Sequence, residues 1–390
     1  MQRRNAVFKV RYIFTCVLVA CLIIFTSASS DSNASPAINS ISGTVSDGQT
    51  ITINGSGFGI VGPNVILFDD FETGINNNYI GNGVTPARVG MWEDSSTACS
   101  PTYYSIYSTS QAHSGTKSAR QNWAKSPTAD GGAMWIGPLF NGPVTKIYFS
   151  FWTYLPTGQN VPGSSGGMGP NWKVWWLQST PYHKDDFASE IVTDPPYETS
   201  LCWVDGTRNR LCYMNSYQPF SFSKGQWKRW EVYMTASTSS GVGQLWFTSA
   251  DQARTLWANA TGRTIDDGSA GWNYLRMPGY ARYDSNSNTY YDDIYVATGN
   301  GALARVEIGN NSSYTNCTNL AVITPTAWSN TSITATVRKG AFNPGNAAYL
   351  FVIDSTGAAS PGYPVTIGSG GSAPTPATVS APTGLRILTN

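Results

Sequence analysis

Apolar and polar residues change places at nearly every step along much of this chain. In "TITIN" (50–54) the exchange is strict, and Gly-rich turns flank it. That period of two marks a strand with one face buried. Strand-sized runs rich in β-formers return in "KIYFSFWTY" (146–154), "NWKVWWLQS" (171–179), "QWKRWEVYM" (226–234) and "AAYLFVI" (347–353). No long stretch of helical periodicity follows the first 30 residues. The pattern predicts an all-β protein of short strands joined by turns.

Residues 1–30 break this pattern. Arg3, Arg4, Lys9 and Arg11 precede an apolar run, Tyr12–Phe25, and small residues follow from Thr26 to Ser30. The run is short for a membrane span, and the order basic, apolar, small is that of an export signal cleaved near Ala28 to Ser30. Processing at "LVAC", with Cys21 lipidated, is the competing route. The expected setting is secreted or cell-surface, extracellular or periplasmic, in a bacterium. No membrane attachment is expected after signal removal unless Cys21 carries a lipid.

Composition narrows the function. A chain of 390 residues has room for two or three domains. Lys and Arg number 24 against 23 Asp and Glu, and no basic run stands out. A nucleic-acid partner is therefore not expected. Of the six cysteines, Cys16 and Cys21 lie in the signal, which leaves Cys99, Cys202, Cys212 and Cys317. An even count in an exported chain points to disulfides. "CWVDGTRNRLC" has β-type ends around a turn, so a Cys202–Cys212 bridge across a hairpin is expected. Cys99–Cys317 follows only by elimination. The Cys/His spacing does not supply a zinc site.

Two resemblances organise the chain. "GQTITINGSGFG" (48–59) resembles the opening of an IPT/TIG domain, an immunoglobulin-like β-sandwich, but the remaining strands do not follow directly. "ARVEIGN", "WSNTSITATV" and "AAYLFVIDSTGAASPGYPVTIG", all within 303–368, look like its missing half. The expected arrangement is an IPT/TIG-like domain split between 36–64 and 303–368, with a second domain, 65–300, inserted in a loop. Residues 369–390 read as a Gly/Ser/Pro/Thr tail. The insert opens with "ILFDDFETG", closes with "TYYDDIYVATG", and contains "AHSGTKSARQNW" and the three aromatic strands above. This series resembles the concanavalin A-like lectin/glucanase jelly roll, a two-sheet antiparallel sandwich. The fold class is thus all-β, a jelly roll inserted into an Ig-like sandwich. Because that superfamily includes lectins, hydrolases, lyases and plain binding modules, the resemblance implies fold more than function.

Three functions stay open. The first is a secreted polysaccharide-binding protein, a monomer with an aromatic-lined cleft. The second is a polysaccharide-degrading enzyme, a lyase on an acidic glycan ahead of a hydrolase. The third is a structural or adhesive surface protein. Simple alternation puts Trp172, Val174, Trp176 and Gln178 on one face of a strand, and Lys173, Trp175, Leu177 and Ser179 on the other. Pyranose C–H groups stack on indole rings, so Trp175, Trp176 and Tyr280, with the cations Lys173 and Arg229, are the carbohydrate-binding candidates. β-Elimination needs a neutraliser for the carboxylate, a base and an acid. Gln178, Tyr182, His183 and Arg276 are the candidates for those roles. The alginate-lyase signatures "R-x-E-L-R", "Q-I-H" and "Y-F-K-x-G-x-Y-N-Q" are absent. So is the paired-carboxylate "E-x-D-x-x-E" of laminarinase-type enzymes. "WKRWEVY" offers Glu231 next but one to Arg229, the usual pattern of a structural ion pair, and His113 reads as a structural turn residue. No cofactor is required. A structural calcium is expected if Asp70, Glu72 and Asp293, near the two ends of the insert, converge.

Overall fold

The computed structural model describes residues 35–81, 85–92, 94–95, 105–123, 136–162, 172–179, 184–191, 198–204, 210–219, 222–277, 280–281 and 287–370. The signal, residues 371–390 of the expected tail, Cys99, Tyr182 and His183 lie outside them, while residues 369 and 370 pair with the chain at Thr44 and Val45. The described chain is all-β: three large antiparallel sheets, two two-stranded ones and, among the described residues, a single 3-10 turn at Tyr314–Asn316.

One seven-stranded sheet draws strands from both ends of the described chain. Ala37–Ser42 and Thr50–Ser56 pair with Ser332–Thr336, which leads through Leu320–Trp328, Arg305–Gly309 and Ala347–Ile353 to Tyr363–Thr366. Leu320–Trp328 turns the corner. Its first half pairs with Arg305–Gly309 and its second with Ser332–Thr336. The sheet thereby folds over a core of its own, with Ile51, Ile53, Ile308, Ile323, Ile333, Leu350 and Val352 inside. We call this the terminal sandwich.

Residues 64–298 supply the other two large sheets. The back sheet runs in the order Gln252–Gly262, Gly241–Ser249, Trp227–Thr235, Lys146–Tyr154, Ser287–Thr298, Ser118–Trp123, Ile106–Ser108, and Asn64–Asp69 also pairs with Ser287–Thr298. Phe68 stands opposite Tyr295, so the first and last strands of the segment meet. The front sheet runs Leu139–Val144, Trp272–Arg276, Trp172–Ser179, Lys184–Ile191, Glu198–Val204, Arg210–Pro219, with Tyr280–Ala281 alongside Trp172–Ser179. Between the two sheets lies one aromatic core that includes Phe149, Phe151, Trp172, Trp175, Trp230 and Tyr291.

Lys146–Tyr154 shows why several strands are apolar throughout. Ile147, Phe149 and Phe151 face the jelly-roll core, while Tyr148 turns outward into a second cluster with Tyr295, Leu303 and Val322. Both faces are covered, so alternation gives way to a continuous apolar run. The terminal sandwich covers the outer face of the back sheet. A charged network seals that junction. Arg229 Nη2 lies 2.7 Å from Glu307 Oε1, Arg305 Nε 2.9 Å from the same oxygen, and Arg254 Nε 2.9 Å from Glu231 Oε2. Tyr148 donates to Glu231 at 2.8 Å and Tyr314 to Glu307 at 2.7 Å.

This corrects one expectation. Arg229, a carbohydrate-binding candidate, is not on a cleft. It is 1% exposed and points from the back sheet into the junction, where Glu307 holds it. Its expected pairing with Glu231 is present at 3.5 Å. Cys317 is a free, buried thiol near the backbone oxygens of Asn311 and Ser313, so the Cys99–Cys317 bridge reached by elimination is not formed. Burial pushes that thiol up to about 11.

Candidate functional site

The terminal sandwich takes the outer face of the back sheet, so the candidate site is built on the outer face of the front sheet. Trp172–Ser179 is its central contributor. Lys173 stands opposite Glu190, but Trp175 stands opposite Ser189, so one residue, Val174, is extra. A bulge of this kind reverses the alternation beyond it. Trp172, Val174, Trp175 and Leu177 all enter the core. Lys173, Trp176 and Gln178 are left on the outer face. The expectation from simple alternation therefore fails after Val174. Trp175, offered as a sugar platform, is a core residue with its ring edge-on to Phe149 at 5.1 Å. Tyr291 fixes the bulge by donating to the Val174 carbonyl at 2.8 Å.

Neighbouring strands complete the face. Trp176 is opposite Arg276 and Gln178 opposite Tyr274, while Leu177 and Leu275 pair on the core side. Directly opposite residues share a face. Tyr280 stands opposite Lys173. On the other flank Glu190 faces Lys173 and Ala188 faces Trp176 in register. The Lys173 ammonium lies 5.5 Å from the Trp176 ring centre, and the Arg276 guanidinium 4.6 Å from that of Tyr274. Both distances lie within cation–π range. Gln178 is fully buried and Trp176 and Arg276 nearly so, whereas Lys173 and Tyr274 are half-buried.

Five of the expected residues are thus gathered on one face: Lys173, Trp176, Gln178, Arg276 and, by its backbone position, Tyr280. Trp175 and Arg229 are not among them. Tyr182 and His183 lie outside the described residues. Tyr274 was missed. The signal for it was present, because it is next but one to Arg276 in "WNYLRM" and so shares its face. Cys202 and Cys212 fall on adjacent antiparallel strands, beside the Trp203–Leu211 pair and within an irregular stretch of register. Nothing further is described of their thiols.

Asp70, Glu72 and Asp293, the carboxylates expected to bind calcium, line one small pocket, and each already meets a donor of the protein. Asp70 accepts Arg88 Nε at 2.9 Å. Glu72 accepts the backbone N–H groups of Thr116 and Lys117 and the Thr116 hydroxyl. Asp293 accepts the Ser114 hydroxyl and pairs with His113 Nδ1, each at 2.7 Å. Among the described residues no three His, Cys, Asp or Glu side chains are grouped to hold a metal ion. The bonds of Glu72 and Asp293 tie loop 113–117 to both ends of the segment. Asp292 accepts from the backbone of His113 and Ser114, and its burial drives its pKa well above the ordinary range. His113 is structural, as expected, and stacks on Trp152 with ring centres 3.8 Å apart.

No protein-family model matches this chain, and no curated protein matches it. Solved structures do resemble it. The alginate lyase of family PL-14 from Aplysia kurodai is 10% identical, with a TM-score of 0.37 over 50% of this chain and 87% of that one. A β-1,3-glucanase from Mycobacterium marinum is 11% identical, with a TM-score of 0.37 over 60% and 98%. Lectin I from Ulex europaeus, solved with the methyl glycoside of α-L-fucose, is 11% identical, with a TM-score of 0.32 over 53% and 95%. These proteins are jelly rolls of the concanavalin A-like lectin/glucanase type. At such distances the likeness carries no argument about what this chain binds.

Proposed function

We propose that this protein binds an acidic polysaccharide on the outer face of its front sheet. The observation that carries the reading is the convergence of Lys173, Gln178 and Arg276 beside Trp176 and Tyr274. Cations held on aromatic rings offer a carboxylate partner and a sugar-stacking surface at one place. The amide of Gln178 adds a neutral hydrogen-bonding group of the kind that orients hydroxyls. The basic, apolar, small pattern of residues 1–30 supports an extracellular or periplasmic setting, and we take the mature chain to act as a monomer.

A lyase is the second reading. Arg276 and Gln178 are suited to neutralise a uronate carboxylate, and the Tyr274 phenol stands next to them as a proton donor or acceptor. A hydrolase would need a pair of catalytic carboxylates, and by register Glu190, opposite Lys173, is one carboxylate on this face.

The test is retention of the mature protein in affinity gels cast with alginate, polygalacturonate or a neutral β-glucan. Retention by an acidic polymer is expected, and Arg276→Ala should weaken it at least tenfold, or roughly 1.4 kcal/mol. Raising salt from about 50 to about 500 mM should weaken it as well, because screening grows with ionic strength. Near-ultraviolet absorbance from unsaturated uronate ends would add the lyase activity. Retention by the neutral polymer alone, insensitive to salt and to Arg276→Ala, would overturn the proposal.

A further inference from the structure

A second concave feature lies at the edge of the sandwich. Leu139–Val144 pairs with Trp272–Arg276 out of step, with Leu139 opposite Tyr274 and Val144 opposite Trp272. The surplus residues 140–143 bow away from the partner strand. Bulges at sheet edges commonly re-aim side chains in this way. Between the bow and Asn64–Asp69 runs a groove of about 350 Å³. Small-molecule sites begin at roughly this size.

Its lining is selective. Met91, Phe140 and Val144 supply apolar surface, and Asn64, Asn141 and Thr298 supply amides and a hydroxyl. No charged side chain lines it among the described residues. Asn64 Nδ2 donates to Thr298 Oγ1 at 3.0 Å. That bond leaves an acceptor on the amide oxygen and a donor on the hydroxyl. Two glycines with positive φ shape the backbone beside the groove. Gly90 has φ 73°, and a Cβ there would come 2.0 Å from the Ile66 carbonyl oxygen. Gly142, on the bow, has φ 104° and open space around it.

We infer that this groove is a second binding site, for a neutral sugar unit of a glycan. A purely apolar ligand would desolvate Asn64, Asn141 and Thr298 without replacing their hydrogen bonds. A charged ligand would find no counter-charge among the described residues. A pyranose meets both conditions, because its C–H face packs on Met91 and Val144 while its hydroxyls meet the amides and the threonine. The inference goes beyond the front-sheet reading and does not rest on it.

The test uses the mature protein with methyl-13C methionine and three neutral probes: cellohexaose, laminarihexaose and mannohexaose. The Met91 methyl resonance, assigned through Met91→Leu, should move on addition of at least one probe. The Kd should be on the order of 0.1–1 mM, typical of weak binding in a shallow site. Met91 is 45% exposed, so Met91→Asp places a charge in the groove without burying it and should weaken that binding at least tenfold. Asn141→Ala, at an exposed position, should weaken it severalfold. A Met91 resonance unmoved by all three probes at about 10 mM would overturn the inference, given the affinity expected of such a site. So would equal binding by Met91→Asp and the wild type. Failure of the acidic gels with a moving Met91 resonance would sink only the front-sheet reading.

Discussion

Replacing Glu307 with alanine is expected to cost about 3–5 kcal/mol of folding stability, the scale of breaking a buried ion pair from one side. Glu307 is wholly buried and accepts Arg229, Arg305 and Tyr314 at 2.7, 2.9 and 2.7 Å. Its removal leaves two arginines in the junction with only Glu231 to share, while Arg254 already claims that residue. The lost attraction is the smaller part of the effect. The larger part is the desolvation of cations left uncompensated. Arg229 and Arg305 hold the Glu307 carboxyl far below the usual carboxylate range despite its burial. Its contribution is therefore present at all pH values above the ordinary glutamate pKa, and it is lost only as pH falls through the much lower folded value. Urea unfolding at neutral pH, followed by circular dichroism, measures the cost. A loss below about 1 kcal/mol, the scale of an exposed pair, would show that the junction is wet and the network incidental.

The second large effect is a pH dependence. Asp69 is fully buried, and its pKa is raised to about 7 by burial, although Trp92 Nε1 donates to it at 2.7 Å and the Phe71 N–H at 3.0 Å. Below about pH 4 the group is protonated whether the chain is folded or not. Between about 4 and 7 the unfolded chain loses the proton and the folded one keeps it, so stability falls with rising pH. At about 1.4 kcal/mol per unit over some three units, the fall is roughly 4 kcal/mol and is complete above neutrality. Asp69→Asn removes the titrating group and should therefore remove that slope, although its amide nitrogen cannot accept from Trp92 or Phe71 as both carboxylate oxygens do. Stability curves of both proteins from about pH 4 to 8 decide it. Parallel curves would mean that Asp69 is ionised in the folded protein throughout.

Both predictions concern groups whose roles local patterning could not have assigned. Arg229 and Glu231 were legible as a same-face pair, because strand alternation is a local rule. Their meeting with Glu307, Arg305 and Arg254 was not, since Glu307 lies 78 residues beyond Arg229. The same limit applies to the carboxylates near Asp70 and Asp293. Strand pairing near the two ends of the segment 64–298 was readable, but not that Arg88, loop 113–117 and Trp92 would satisfy the carboxylates. On the front sheet, Gln178, Arg276, Lys173 and Trp176 were picked for their chemistry, and the register brings them together. Trp175 was assigned to the wrong face because a single extra residue at Val174 moved it.

By itself, then, the sequence determined the β-period, the turns that end each strand, and the residue types suited to a glycan. Those properties depend on neighbours a few positions away. Tertiary structure decided which face of each strand is buried, which charges meet and where a groove stays open. A bulge of one residue inverts a face, and a partner from the other sandwich turns an apparent binding cation into a buried bond. Each depends on packing between segments far apart in the chain.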